Sequence, residues 1–169
     1  YKRQIQTLII SLFFISFNAT AEIKHIKDGN VDAKVKLVVF ESLTCSHCGD
    51  FHRDIYPKLK TDFIDKNLIS IEYRNFPLDI AAFNAAKIAH CRNDGKSEIL
   101  HHLYNNQSSW VRGSTIDDLN KNLKRVVQES GFKLDFDNCI ANSKIEDFIL
   151  EDRIAVSYTH LRAHETQDD

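Results

Sequence analysis

Hydrophobic and polar positions form two clear patterns in the first half of the chain. Residues 35–40 (Val-Lys-Leu-Val-Val-Phe) are short, apolar and rich in β-branched side chains, which predicts a buried strand. From residue 45 the apolar positions recur every three or four residues, which predicts a helix. Pro57 should remove a backbone hydrogen bond and kink that helix. Residues 69–74 alternate apolar with polar, which predicts a second strand ending near Pro77.

The second half of the chain has helical spacing throughout. It predicts helices over 81–89, 99–104 and 116–127, with Gly131 as a stop signal. A last helix is expected over 136–154, with Asp135 or Asp137 as its cap. The order of strand, helix, strand and helical block predicts an α/β fold that begins with a βαβ unit.

Both ends of the chain differ from this central part. Lys2 and Arg3, a short apolar run at 8–17 and Ala-Thr-Ala at 19–21 predict a secretory signal peptide over 1–21, with an uncleaved membrane anchor as the alternative. Residues 156–169 show neither strand alternation nor a turn and resemble a translated sequencing adapter, so we expect a foreign tail there. We therefore assign no role to its histidines.

Length and charge narrow the class of protein. Residues 22–155 suit one domain. A formal net charge of −2 argues against nucleic acid as a partner, because such proteins normally carry a basic surface. In an exported protein, four cysteines predict disulfides and redox chemistry.

The candidate site is the sequence Cys45-Ser46-His47-Cys48, placed where a strand gives way to a helix. Two cysteines at this spacing can close a small disulfide ring. When the ring opens, the first sulfur lies near the helix N-terminus, where unpaired N–H groups and the helix dipole favour a thiolate. His47 can stabilise that thiolate further. A stabilised thiolate makes the disulfide a stronger oxidant.

Two other interpretations of this motif stay open. C-x-x-C is often half of a zinc site, but Cys91 and Cys139 are too far apart in sequence to supply the other half. The pair could also be an inert structural disulfide. We therefore predict no bound metal, although a metal-binding module using Cys45, His47 and Cys48 stays an alternative.

Several segments resemble one bacterial family. Residues 40–52 (Phe-Glu-Ser-Leu-Thr-Cys-Ser-His-Cys-Gly-Asp-Phe-His) are similar to the active-site segment of alphaproteobacterial DsbA-like oxidases. Residues 74–79, 107–110 and 136–139 resemble later landmarks, and the likeness covers roughly 35–155. It implies a thioredoxin-like fold with a helical domain inserted at about 79–150.

The same resemblance implies an activity. Cys45 would be the nucleophile, Cys48 the resolving thiol, and Ser46 with His47 the pair that tunes the potential. The protein would donate its disulfide to reduced, unfolded exported proteins in the periplasm, without a cofactor besides that disulfide. A DsbB-like membrane quinone reductase would re-oxidise it. A disulfide isomerase or reductase is the alternative, but such relatives usually dimerise through an amino-terminal region, and 22–34 is too short for one, which favours a monomer.

Three departures from the family are visible. Ser46 stands where proline is usual. The buried acid expected six residues before the first cysteine is replaced by Val39, and Glu41 is either its substitute in proton transfer or a polar strand end. Neither Pro57 nor Pro77 occupies the place of the family's cis-proline loop. We expect that loop and the closing strands to be missing by truncation near residue 155.

The second cysteine pair has a structural interpretation. Relatives with a second disulfide imply that Cys91 and Cys139 are bridged, which would join two parts of the helical insertion covalently. Two separate buried thiols are the alternative.

Overall fold

The computed structural model describes residues 22–158, and its sheet has three strands. They are β1 (Ile26–Asp28), β2 (Val35–Glu41) and β3 (Ile69–Asn75), in the order β1-β3-β2. Strands β2 and β3 are parallel, and β1 is antiparallel to β3. Helical residues 46–64 connect β2 to β3, which confirms the predicted βαβ unit. The predicted signal peptide and most of the predicted foreign tail lie outside the described residues.

The helix at 46–64 changes its winding twice. An α-helical turn, α1 (Ser46–Asp50), leads into a π-helical turn at Phe51–Ile55, then α2 (Tyr56–Leu59) and a second π-helical turn at Lys60–Ile64. Pro57 lies in α2, directly after the first wide turn. The proline ring cannot donate a hydrogen bond and crowds the preceding turn, and the wider winding accommodates it.

The part of the chain after β3 is helical. Its helices are α3 (Ile80–His90), α4 (Glu98–Asn105), α5 (Gln107–Trp110), α6 (Ile116–Glu129), α7 (Phe136–Ala141) and α8 (Ser143–Val156). Helix α6 ends just before Gly131, whose φ of +77° is a conformation that glycine adopts easily, as the stop signal predicted. Across residues 22–158, no helix is both long enough and apolar enough to cross a membrane.

The single last helix predicted over 136–154 is wrong. Asp135 caps α7, as predicted, by accepting a hydrogen bond from the Asn138 amide at 3.2 Å. The helix then breaks at Asn142, which has an extended backbone. The Asn142 side chain accepts from the Lys144 and Ile145 amides, so it starts a new helix instead of continuing the old one. Helix α8 runs through Val156, which is buried.

The prediction that residues 35–40 form a buried strand is also wrong in part. The strand exists, but Val35 and Val38 are each 50% exposed and Leu37 is 37% exposed. Within residues 22–158, β2 pairs with β3 along one edge, and no strand follows β3 in sequence. Apolar sequence therefore identified the strand, but burial depends on elements that pack over it.

Helix α8 is fastened to the end of β3 by a buried carboxylate. Asp152 accepts hydrogen bonds from the Asn75 amide at 2.8 Å and from Arg74 Nη1 at 2.9 Å. Asp152 is 4% exposed, so these hydrogen bonds satisfy the oxygens of a buried side chain. The C-terminal end of β3, which lies beside the end of β2, is thereby fixed.

The insertion carries a disulfide between Cys91 and Cys139, as the family resemblance implied. Cys91 directly follows α3, and Cys139 is a buried residue of α7. The bond closes a loop with a sequence separation of 48 and joins the first helix of the insertion to a late one.

Candidate redox site

Cys45 is the residue at which the 46–64 helix begins. It has an extended backbone, with φ −71° and ψ 120°, and its carbonyl oxygen accepts from the Gly49 amide at 3.1 Å. Its own amide donates to the Ser42 carbonyl at 3.0 Å, which closes a tight turn after β2. Cys45 and Cys48 are both free thiols and both partly exposed. The predicted juxtaposition of strand end, cysteine and helix start is therefore present.

Cys48 lies on the inner side of this turn. Its side chain packs against the hydrophobic core, and burial raises the pKa of its thiol to about 12. The neighbouring Cys45 and the charge of Glu41 act in the same direction. Cys48 is thus a protonated thiol at neutral pH, which suits a sulfur that must hold a proton after it leaves a disulfide.

Ser46 and His47 project outward from the first turn. Both are exposed, and the His47 side chain is 94% exposed, with Nδ1 3.7 Å from Asp50 Oδ2. Their role in tuning the potential stays a prediction. Among residues 22–158, no cluster of three or more histidine, cysteine or acidic side chains is arranged to hold a metal ion.

Gln107 is a site residue that the sequence did not single out for this position. Its Nε2 donates to the carbonyl oxygens of Leu43 at 2.9 Å and Cys45 at 2.8 Å. Gly49 allows this approach, because a methyl group there would overlap Oε1 of Gln107. The first turn of α5, in the insertion, therefore holds the backbone that carries Cys45.

Glu41, the last residue of β2, is buried beneath the site. Its side chain is 5% exposed, and Oε2 lies 2.8 Å from His52 Nε2. Burial raises the pKa of Glu41 to about 8. Val39, two residues earlier, is only partly buried. Glu41 is thus a buried acid near Cys48, and its role in proton transfer stays a prediction.

Three further polar side chains extend from Glu41 in a line of hydrogen bonds. His52, His101 and Asp28 come from the 46–64 helix, α4 and β1, and each hydrogen-bonds to the next. His52 could have been suspected, since it follows Cys48 by one helical turn. Asp28 and His101 carry no local signal, because only the tertiary fold brings them to His52.

Comparisons with known proteins agree with this geometry. A family model described as Thioredoxin matches residues 21–160. A Rickettsia bellii protein provisionally named protein-disulfide oxidoreductase is 30% identical over 125 residues, which cover 72% of this chain and 47% of that protein. Disulfide bond formation protein D of Bacillus subtilis is 27% identical over 111 residues, covering 60% and 50%. The chain thus spans about half the length of these curated relatives.

Solved structures show the same fold. Wolbachia pipientis alpha-DsbA1 superimposes with a TM-score of 0.71 at 32% identity, covering 79% of this chain and 67% of that one. BdbD from Bacillus subtilis, at 20% identity and a TM-score of 0.64, supports the fold alone. The predicted thioredoxin-like fold with inserted helices is confirmed. The chain belongs to the thioredoxin family, in its DsbA-like branch.

Proposed function

We propose that this protein is a periplasmic thiol–disulfide oxidoreductase that donates a Cys45–Cys48 disulfide to newly exported proteins. The observation that carries the proposal is the position of Cys45 at the start of the 46–64 helix, with the protonated thiol of Cys48 packed behind it. One sulfur is presented to a substrate, and the other is placed to leave and be protonated.

The reaction follows from this arrangement. A substrate thiolate attacks Sγ of Cys45, the Cys45–Cys48 bond breaks, and its electron pair passes to Cys48, which takes up a proton. A second substrate thiolate then attacks the substrate sulfur of the mixed disulfide and releases Cys45 as a thiolate. The substrate loses two electrons, and the protein gains them.

Turnover needs an acceptor for those electrons. A DsbB-like membrane quinone reductase would take them from the two thiols and restore the disulfide. Reduced, unfolded exported proteins are the proposed substrates, and the enzyme acts as a monomer. The relatives named for disulfide bond formation and protein-disulfide oxidoreduction support this class of chemistry.

The deciding experiment is the reduction potential of Cys45–Cys48, measured on the full-length protein in glutathione buffers. We expect a value more oxidising than about −200 mV, together with oxidation of a reduced unfolded protein. A value near about −270 mV would instead indicate a reductase or isomerase. A Cys45→Ser variant serves as the control that must lose exchange.

Export is tested separately. Residues 1–21 fused to a reporter that folds only in an oxidising compartment should direct it across the membrane and be removed. A reporter that stays in the cytoplasm would contradict the periplasmic assignment.

A further inference from the structure

A continuous line of hydrogen-bonded side chains leads from Glu41 to the protein surface. Glu41 Oε2 lies 2.8 Å from His52 Nε2, and His52 Nδ1 lies 2.8 Å from His101 Nδ1. His101 Nε2 lies 2.9 Å from Asp28 Oδ2. Each imidazole therefore uses both ring nitrogens within the line, one toward Glu41 and one toward Asp28.

Exposure rises along this line. The side chains of Glu41 and His52 are 5% and 0% exposed, whereas those of His101 and Asp28 are 16% and 15% exposed. His52, His101 and Asp28 also line a surface cavity of about 600 Å³, whose lining includes neither Cys45 nor Cys48. The line thus joins a buried acid to water by a route that does not pass the cysteines.

The inner end of the line is coupled to the thiols. The charge of Glu41 contributes to the raised pKa of Cys48. Glu41 Oε1 is buried and makes no hydrogen bond to any described residue. His52 therefore engages one carboxyl oxygen of Glu41, while the Tyr104 hydroxyl and the two cysteines act on the same buried carboxyl group.

We propose that Glu41, His52, His101 and Asp28 form a proton relay, which carries protons between the buried Cys48 thiol and the water of the cavity. The proposal rests on the proposed redox function, because opening the disulfide is what creates the need for a proton at Cys48. We call these four residues the histidine relay.

The hydrogen-bond order supports transfer in both directions. When Glu41 is protonated, it donates to His52 Nε2, His52 Nδ1–H donates to His101 Nδ1, and His101 Nε2–H donates to Asp28. If each donor hands over its proton, one proton arrives at Asp28 and passes to water. Glu41 is then a carboxylate, and both imidazoles are neutral with every donor reversed. A proton entering from the cavity restores the first state.

The charge states fit this order. Burial raises the pKa of Glu41 to about 8 and lowers the pKa of His52 to about 4, so near neutral pH the acid holds the proton and His52 is neutral. Burial alone would raise the pKa of Asp28, but hydrogen bonds from His101 and Ser97 outweigh it and lower that pKa to about 2. The outer end is therefore a carboxylate at neutral pH, and a proton that reaches it passes on at once to the water of the cavity.

The other titratable groups around the relay leave this order intact. The Tyr56 and Tyr73 hydroxyls each donate to Asp28 at 2.9 Å, and burial raises the pKa of both phenols, so they stay protonated. The Tyr104 ring stacks on His52 at 3.9 Å, and burial raises its pKa as well. Charged groups at the cavity wall are Lys27, Arg53, Lys60, Lys96 and Glu98.

The test replaces His101 by glutamine, which keeps a polar side chain but cannot pass a proton from one side to the other. The matched control is His102→Gln, the neighbouring histidine on α4, whose Nε2 faces the Val126 carbonyl at 3.3 Å instead of the relay. The measurement is the single-turnover rate at which a small dithiol reduces the Cys45–Cys48 disulfide of the full-length protein.

We expect His101→Gln to slow that rate by about tenfold or more, since general acid–base groups commonly contribute about 100-fold or more. His102→Gln should leave it unchanged. Because His101 borders the cavity, imidazole added to a His101→Ala variant should restore the rate in proportion to its concentration. A merely structural histidine would give no such rescue, and that result overturns the relay.

Two further measurements, the solvent isotope effect and the oxidation of a reduced substrate protein, separate the possible outcomes. If the His101 variants do not fold, the solvent isotope effect on the wild-type rate decides. A curved dependence of that rate on the deuterium fraction supports transfer of several protons, and no isotope effect overturns the relay. A protein that fails to oxidise substrates but shows slowing and rescue overturns only the oxidase proposal. A substrate-oxidising protein with an unchanged His101→Gln rate overturns only the relay.

Discussion

Gln107 Nε2 lies 2.8 Å from the carbonyl oxygen of Cys45, although the two residues are 62 positions apart in the chain. The same nitrogen donates to the Leu43 carbonyl at 2.9 Å. One buried amide of the insertion therefore satisfies two carbonyl groups of the loop that positions the cysteine.

Replacing Gln107 by leucine should cost about 2 kcal/mol or more of the free energy of unfolding, because the carbonyl oxygens of Leu43 and Cys45 each lose a hydrogen bond and the Cys45 oxygen keeps only the Gly49 amide. The measurement is urea unfolding, with Gln128→Leu on the exposed face of α6 as the control. Faster alkylation of Cys45 should accompany the loss. Equal stabilities for the two variants would contradict the assigned role.

Gly49→Ala tests the same contact from the other side. The added methyl group overlaps Oε1 of Gln107, which is a side-chain end but is held by the two hydrogen bonds from Nε2. We expect a loss of about 1–3 kcal/mol, as for other overpacked sites.

In a Gln107→Ala background the further cost of Gly49→Ala should largely disappear. The remaining overlap is with Arg53 Nη1, the end of a flexible side chain that can shift, and alanine favours a helix over glycine. A double-mutant cycle by urea unfolding checks this. Strict additivity of the two changes would show that the residues do not interact.

Glu41→Gln should change how stability depends on pH. The folded pKa of Glu41 is raised to about 8 from an ordinary 4.5, so the folded state keeps a proton that the unfolded state loses. The wild type should therefore lose stability relative to the variant by up to about 1.4 kcal/mol per pH unit between these two values.

Unfolding curves of both proteins across that range isolate this effect. The lowered pKa of His52, about 4, acts in the opposite sense below its ordinary 6.5, but it is common to both proteins. Glu151→Gln, at an exposed position of α8, is the control and should show no divergence. Parallel curves for Glu41→Gln and wild type would mean that Glu41 is ionised in the fold.

Removing the Cys91–Cys139 disulfide should affect stability and not redox chemistry. Closing a loop of this separation, 48 residues, is worth about 4 kcal/mol in the chain-entropy model. The double variant Cys91→Ala/Cys139→Ala should lose up to that amount in urea unfolding. Its Cys45–Cys48 potential should match that of wild type, and a shifted potential would indicate coupling between the two pairs.

Local sequence predicted the elements of the site but not their assembly. The apolar run at 35–40 and the spacing after residue 45 located β2, Cys45 and the helix, because strand and helix periodicity are local properties. The three-residue strand β1 has too short a pattern to detect, and it supplies Asp28. The burial predicted for β2 was wrong because the exposure of a strand depends on the elements that pack over it, and the strand's own sequence does not show these.

The same distinction explains the missed polar residues. His101 meets His52 across 49 positions, and Gln107 reaches Leu43 across 64. No spacing rule connects such residues. The position of Glu41 on the strand marked it as a candidate in the sequence. Its burial could not be predicted, because it results from the packing of α4 and the 46–64 helix over it.

The contact between Asp152 and β3 has a consequence for folding cooperativity. The Asn75 amide finds its acceptor 77 positions later in the chain, so the end of β3 reaches its native bonding only after α8 has docked. The sheet and α8 should therefore behave as one unit in hydrogen exchange, with the Asn75 amide exchanging only through openings that also release α8.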